Sequence, residues 1–168
     1  MTATYDRIES KTLGSNTTTV SFTSIPSTYT DLILICLPAA QDAEFNALQM
    51  RLNNDSSALY SYTFMRGNGT SATSSRSSGD TRIYIGQFAL SSTVGDQNFI
   101  VQIQNYANTS VNKTVIARSN RAASSLEATV GLYRSTSAIN RVDIETSAVG
   151  ANQLKTGSTF TLYGIKAE

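Results

Sequence analysis

Residues 98–106 read NFIVQIQNY and carry the pattern that decides the fold class. Phe99, Val101 and Ile103 recur at every second position, and two of the positions that follow them are Gln102 and Gln104. Side chains two positions apart lie on one face of a β-strand. The stretch therefore predicts a half-buried strand with the first three residues in the core.

Similar stretches recur along the whole chain. The apolar run 32–37 predicts a central strand that is buried on both faces and contributes Leu32, Leu34 and Cys36 to the core. Alternation predicts the remaining core residues, which are Leu48, Met50, Leu52, Val130, Leu132, Phe160 and Leu162. Turn residues separate these stretches, and no window has a convincing helical period. The sequence predicts one all-β domain over residues 1–168, an antiparallel, jelly-roll-like β-sandwich of about ten strands.

Two segments are harder to place from the pattern. Residues 1–12 contain little to bury, so they are either an N-terminal arm or an edge strand. Residues 67–79 read GNGTSATSSRSSG and have no apolar side chain larger than Ala. This low-complexity segment is predicted to be the longest loop.

The composition narrows the function classes. Thirteen basic residues nearly cancel twelve acidic ones, which argues against a nucleic-acid partner. The chain has no His, the commonest metal ligand and catalytic base, and only one Cys. We expect that Cys to pack as a small core residue. No apolar run reaches the length of a membrane-spanning helix, and residues 1–7 do not resemble a signal peptide, so we expect no membrane insertion.

Carboxylate pairs are the best case for an enzyme. Asp143 and Glu145 would project from one strand face, and Asp42 and Glu44 lie in a polar connection. Nothing in the sequence brings a second catalytic group to either pair, so solvated surface charge is the favoured interpretation. The oxygen-rich stretch 53–56 lacks the ligand spacing of a calcium loop. We expect a non-enzymatic protein without a cofactor or metal.

A polar surface is the best binding candidate. Tyr rings beside Asn, Ser and Arg can recognise glycans or proteins, because they offer flat area and many hydrogen-bonding groups. The alternative is that the Tyr rings half-fill the core. The candidate residues are Tyr60, Tyr62, Arg66, Asn68, Ser74, Ser75, Arg76 and Asp80.

Several ordered stretches resemble a group of small virion structural proteins of tailed bacteriophages, common in aquatic phages. The matching stretches are residues 12–15 and 20–32 (TLGS and VSFTSIPSTYTDL), 60–69 (YSYTFMRGNG), 104–106 with 113–115 (QNY and KTV), 131–136 (GLYRST) and 157–167 (GSTFTLYGIKA). The resemblance implies a β-sandwich on the outside of a virion, made in the bacterial cytoplasm. It transfers no catalytic residues.

Three functions follow as hypotheses. The first is a tail or tail-fibre component, homotrimeric and in contact with other virion proteins, that holds the fibre or attaches to a host cell-surface glycan. The second is a capsid decoration or head-fibre protein, which copy number would distinguish. The third is a glycan-binding module or a glycosidase fragment, although Trp, a common glycan-stacking residue, is absent.

Overall fold

The computed structural model describes residues 4–42, 47–88, 90–147 and 153–166. This part of the chain contains twelve β-strands. They are β1 (Tyr5–Thr12), β2 (Thr19–Phe22), β3 (Asp31–Leu37), β4 (Leu48–Leu52), β5 (Tyr60–Gly67), β6 (Ala72–Asp80), β7 (Ile83–Gly86), β8 (Gln97–Gln104), β9 (Lys113–Arg121), β10 (Ser125–Tyr133), β11 (Val142–Thr146) and β12 (Thr159–Ile165).

The strands form two sheets of unequal size, and all their pairings are antiparallel. The large sheet has the order β1-β12-β3-β8-β9-β10-β5-β6, and the small sheet has the order β2-β11-β4-β7. The protein is therefore an all-β sandwich, as the alternating pattern predicted. None of the described residues belongs to a helix with the length and apolarity that crossing a bilayer requires.

The core lies between the two sheets. Phe99, Val101 and Ile103 of β8 are fully buried in it. Eight further predicted core residues are also buried: Leu32, Leu34, Cys36, Leu48, Met50, Leu52, Phe160 and Leu162. The prediction that β3 is buried on both faces is wrong, because Ile35 and Leu37 lie on its outer face and are exposed. Burial also raises the pKa of the Cys36 thiol, so this side chain behaves as a small apolar residue.

The prediction that Val130 and Leu132 are core residues is wrong. Both lie on the face of β10 that points away from the small sheet, and Val130 is 55% exposed. The inward positions of the same strand include Ser125, Glu127 and Thr129. The alternation on β10 correctly predicts a strand. The face predicted to be buried, however, is the exposed one.

The structure also shows the conformation of the two segments at residues 5–12 and 67–79. Tyr5–Thr12 is the edge strand β1, paired with β12, so the arm interpretation is wrong for these residues. The predicted loop over residues 67–79 is also wrong. Gly67 ends β5, a tight turn occupies residues 68–71, and Ala72–Asp80 form β6 at the other edge of the large sheet. Ser and Thr tolerate an exposed strand as well as a loop, so composition could not separate the two.

Candidate functional site

The outer face of the large sheet, meaning the face turned away from the small sheet, carries exposed apolar side chains. Met65 of β5 is 67% exposed, Leu126 of β10 is 63% exposed, and Ile116 of β9 is also exposed. Scattered exposed aliphatic residues are normal, but a contiguous group marks a contact surface. The strand register decides whether these residues form such a group.

The register brings them together in rows across the sheet. Ile116 lies opposite Val130 on the neighbouring strand, and Ala128 lies opposite Met65. On the other side, Ile35 lies opposite Ile100. Directly opposed residues on antiparallel strands are about 4.5–5.5 Å apart. The outer face therefore presents one apolar area on β9, β10 and β5 and a second on β3 and β8. The two are separated where Ile100 lies opposite Arg118 and Gln102 lies opposite Ile116.

Close approach of β7 explains why β10 turns its larger apolar residues outward. A Cβ atom added to Gly131 would lie 2.8 Å from Cδ1 of Ile83. One added to Gly86 would lie 2.4 Å from Cε1 of Phe99 and 3.0 Å from Oγ of Ser119. The space between the sheets is therefore filled here by Gly, Ser and the side chains of β7. Large aliphatic residues on the inner face of β10 would collide with Ile83, so they occupy the outer face.

The outer face carries little charge, and most of it is positive. Arg118 lies opposite Ala128, and Arg76 lies opposite Thr63. The carboxylate of Asp31 at the margin accepts hydrogen bonds from the Asn105 backbone N–H at 2.8 Å and from Gln102 at 3.3 Å. The face thus combines aliphatic rows, hydroxyl and amide groups, and a few arginines.

The predicted polar binding surface is not brought together by the fold. Tyr60 is fully buried, and its hydroxyl accepts the Leu52 N–H and donates to backbone carbonyls of Leu52 and Asp55. Its ring stacks on Tyr133 at a centroid distance of 4.6 Å. Burial raises the pKa of the Tyr60 hydroxyl. The placement of Tyr60 in a binding surface is therefore wrong, and the core alternative is correct for it.

The other members of that set lie on both faces of the β5–β6 hairpin. Tyr62 packs near Tyr84 on the inner side, and Arg66 donates to the Gln87 carbonyl at 2.6 Å. Asn68 accepts hydrogen bonds within the turn. Asp80 accepts from Ser77 and from the backbone of Thr81. Ser75 lies opposite Phe64, whereas Ser74 and Arg76 are exposed and lie opposite the outer-face residues Met65 and Thr63.

The carboxylates Asp143 and Glu145 lie on the outward side of the small sheet in a network of ion pairs. Arg141 donates from Nε to Asp143 at 2.9 Å, and the Ser21 hydroxyl donates to the same carboxylate. Glu145 pairs with Arg51 at 2.9 Å and Arg82 at 3.6 Å. Both carboxylates are compensated by arginine, which is a structural role. Asp143 is buried, so the interpretation of this pair as solvated surface charge is wrong for Asp143. In the other pair, Glu44 lies outside the described residues.

The oxygen-rich stretch at residues 53–56 serves to connect loops. Asn53 donates from its amide to the Ala138 carbonyl and accepts from the Asn140 N–H. Asp55 accepts the Tyr133 hydroxyl at 2.7 Å, and this bond holds the pKa of the Asp55 carboxyl below its usual range. Within the described ranges, no group of three or more Asp, Glu, Cys or His side chains could hold a metal ion.

Two buried ionisable side chains were not predicted from the sequence. Glu127 accepts the Gln87 N–H at 3.1 Å, and burial raises the pKa of its carboxyl. The Lys113 ammonium donates to three backbone carbonyls, those of Asn108, Val111 and Thr136. Burial lowers the pKa of Lys113. Gln87 is distant in sequence from Glu127, and Thr136 is distant from Lys113, so alternation could not have found these contacts.

The comparisons with known proteins identify no family. No protein-family model matches the chain, and no curated protein matches it. A toad ovary galectin, solved in complex with thio-digalactose, is similar at a TM-score of 0.40 and 10% sequence identity. The alignment covers 87% of this chain and 98% of that chain. The two antiparallel sheets themselves define the molecule as a β-sandwich protein whose large sheet has an exposed, partly apolar outer face.

Proposed function

We propose that this chain is a non-enzymatic structural protein of a bacteriophage virion, a tail or tail-fibre component that docks onto other virion proteins. The observation that carries the proposal is the group of exposed apolar side chains on β9, β10 and β5 of the outer face, which is joined by further ones on β3 and β8. The resemblance of the ordered sequence stretches to small virion proteins supports the assignment of this chain to a bacteriophage particle.

The size of the outer face suits a docking role. Eight strands spaced about 4.8 Å apart, each about eight residues long at 3.3 Å per residue, cover a flat area of about 1,000 Å². A stable protein–protein interface buries about 800 Å² on each partner. The five central strands, which carry the exposed apolar side chains, cover about 630 Å² of it, and the outer strands supply a polar rim.

The chemistry of the face also suits a protein partner. Interface cores are depleted of charge and enriched in apolar side chains and Arg. Met65, Ile116 and Val130 provide the apolar part, and Arg118 lies within the same rows. A flexible Met side chain can adapt to the surface of a neighbour.

Incorporation into particles tests this function. Phage particles that lack the chain would be incubated with the purified protein and then separated from the unbound chain. The double variant Met65→Lys/Val130→Lys should lose at least about tenfold in affinity, or ~1.4 kcal/mol, because it buries two charges in the interface. The matched control Val94→Lys/Val111→Lys adds the same charge in exposed turns and should bind normally.

Quantitative mass spectrometry of purified particles completes the test. Tens of copies or fewer per particle would support the tail, and hundreds would support the alternative of a capsid decoration protein. Absence of the chain from purified particles would contradict both versions. Equal binding of the two double variants would leave the particle location intact but overturn the role of the outer face.

Glycan binding is a second candidate, favoured by a depression of about 320 Å³ beside β6. Its lining includes hydroxyl groups of Ser61, Thr63 and Ser78, the side chain of Arg76, and Val130. Hydroxyl and guanidinium groups can hydrogen-bond a sugar, and Val130 can contact its apolar face. Binding of host envelope polysaccharide that is lost in Arg76→Ala would support this candidate. Unchanged binding in the variant would remove it.

A further inference from the structure

The two edges of the large sheet differ in how they are protected. An edge strand exposes unpaired backbone N–H and C=O groups, and proteins usually block it with charge or with a bulge. Strand β1 has both devices. It carries Asp6, Arg7, Glu9 and Lys11, and its pairing with β12 shifts between Arg7 and Glu9. This edge is therefore protected against the addition of another strand.

Strand β6, at the opposite edge, has neither device over most of its length. Residues 72–78 read ATSSRSS, with Arg76 as the single charge and no Pro. Each of them lies in continuous register with β5, from Ala72 opposite Gly67 to Ser78 opposite Ser61. Small side chains leave the backbone edge accessible.

The turn geometry shows which backbone groups point outward. The Asn68 N–H donates to the Ser71 carbonyl at 3.2 Å, so this pair closes the hairpin. Hydrogen-bonded and non-hydrogen-bonded pairs alternate along an antiparallel ladder. The backbone groups of Thr73, Ser75 and Ser77 therefore point to β5. Those of Ala72, Ser74, Arg76 and Ser78 point to the free edge.

The regular stretch has a defined midpoint. Gly79 adopts a φ of 68°, and the register shifts between Tyr60 and Ser61, so the regular pairing ends at Ser78. The centre of residues 72–78 is Ser75. Pairing this stretch with itself in antiparallel orientation about Ser75 uses all four outward-pointing residues and places Arg76 opposite Ser74.

We propose that β6 is a strand-addition site for a second copy of this chain, which pairs antiparallel through β6 about a twofold axis at Ser75. A twofold interface uses the same surface on both subunits, as a self-complementary edge requires. An axis at Arg76 would oppose two guanidinium groups, which is unfavourable. The edge thus favours a pair of chains over the trimer expected from the resemblance.

This pairing would join two large sheets into one continuous sheet of sixteen strands. A twofold axis perpendicular to the sheet keeps the two outer faces on the same side. Two linked docking faces bind a repetitive particle surface more tightly than one, because the second contact becomes intramolecular. The inference does not depend on the proposed particle, and its test uses the purified chain alone.

Disulfide trapping tests the register. Ser75 would face its copy as a non-hydrogen-bonded pair with a Cα separation of about 4.5 Å, which is within the range of a disulfide. The native Cys36 is buried, so Ser75→Cys introduces a single accessible thiol. Ser75→Cys should form a covalent dimer at least about tenfold faster than Ser10→Cys on the β1 edge. Equal rates would overturn the proposal.

Sedimentation of the reduced chain gives the second readout. The 18.0 kDa chain should sediment as a concentration-dependent dimer. Ser74→Pro removes an outward-pointing N–H without removing a β5–β6 hydrogen bond, and Pro is tolerated at such edge positions. It should weaken dimerisation at least about tenfold, whereas Ser74→Ala should not. A monomer or trimer at all concentrations in the wild-type chain, or an unchanged dimer in a folded Ser74→Pro variant, would overturn the twofold edge.

Discussion

The outer faces of the two sheets differ in how far other residues of the same chain cover their side chains. On the small sheet, Asp143 and Glu145 are bound by arginines of the same chain, and Asp143 is only 1% exposed. On the large sheet, Met65 and Val130 are more than half exposed and have no comparable cover. The difference shows that one face is complete within the chain, whereas the other has the composition of an interface.

The largest expected effect is on the free energy of unfolding. It comes from the narrow space between β7 and β10, which keeps the larger residues of β10 on its outer face. Gly131→Ala places a methyl group against the buried Ile83 and should lower the free energy of unfolding by about 2–3 kcal/mol. That corresponds to a fall in Tm of about 4–12 °C, since 1 kcal/mol shifts Tm by about 2–4 °C for a chain of this size. Thermal unfolding measures it. Gly14→Ala is the matched control, because its Cβ meets nothing and it should change Tm little. Equal effects would show that β7 does not exclude larger residues from the inner face of β10.

Breaking the ion network of the small sheet should have the next largest effect. Asp143→Ala leaves Arg141 and the Ser21 hydroxyl without their acceptor and should cost about 2 kcal/mol in urea unfolding. Val130→Ala on the large sheet is the comparison variant. It should cost less than about 0.5 kcal/mol, because Val130 packs little in the free chain. A large cost for Val130→Ala would mean that the outer face stabilises the chain itself.

A smaller, pH-dependent effect on stability is expected at Glu127 on the inner face of β10. Its carboxyl pKa is raised by burial, so the protonated form is favoured in the folded state. This contribution to stability is present below the unfolded pKa of about 4.3 and is lost as the pH rises through the folded pKa. Glu127→Gln should therefore gain stability relative to the wild type as the pH rises above the unfolded pKa. Glu9→Gln, which changes an exposed ion pair, is the control. If the free energy of unfolding depends on pH in the same way in the wild type and in Glu127→Gln, this prediction is wrong.

The smallest expected effect is on solubility. Leu126→Thr and Ile116→Thr retain β-propensity and reduce the exposed apolar area. Tm should change by no more than about 2 °C, while the light-scattering signal of concentrated protein should fall. An increase in aggregation would contradict the view that these residues are the exposed apolar part of the free chain.

The sequence was sufficient for the fold class, because alternation on strands such as β8 directly reflects burial on one side. It was not sufficient for the faces of β10, where both sets of positions contain residues that a strand tolerates. Gly131, inside an otherwise regular strand, was the available signal, since Gly there often marks close approach of another element. Strand β6 was missed because its Ser and Thr residues are equally compatible with a loop.

The candidate site depended on tertiary contacts that no local pattern contains. Tyr60 was assigned to a surface because it is next to a polar segment, but its hydroxyl is satisfied by Leu52 and Asp55 inside the fold. The exposed apolar side chains of the outer face come from five strands that are adjacent only after β3, β8, β9, β10 and β5 pair. Sequence order does not reveal that adjacency.

Hydroxyl-radical footprinting of the free and the particle-bound chain tests the central claim most directly. Met65 is an exposed thioether on the outer face, and Met50 is buried in the core as an internal reference. The account predicts that Met65 is oxidised readily in the free chain and at least about tenfold more slowly on the particle, while Met50 is protected in both states. Equal oxidation of Met65 in the two states, with protection appearing on the small sheet instead, would contradict it.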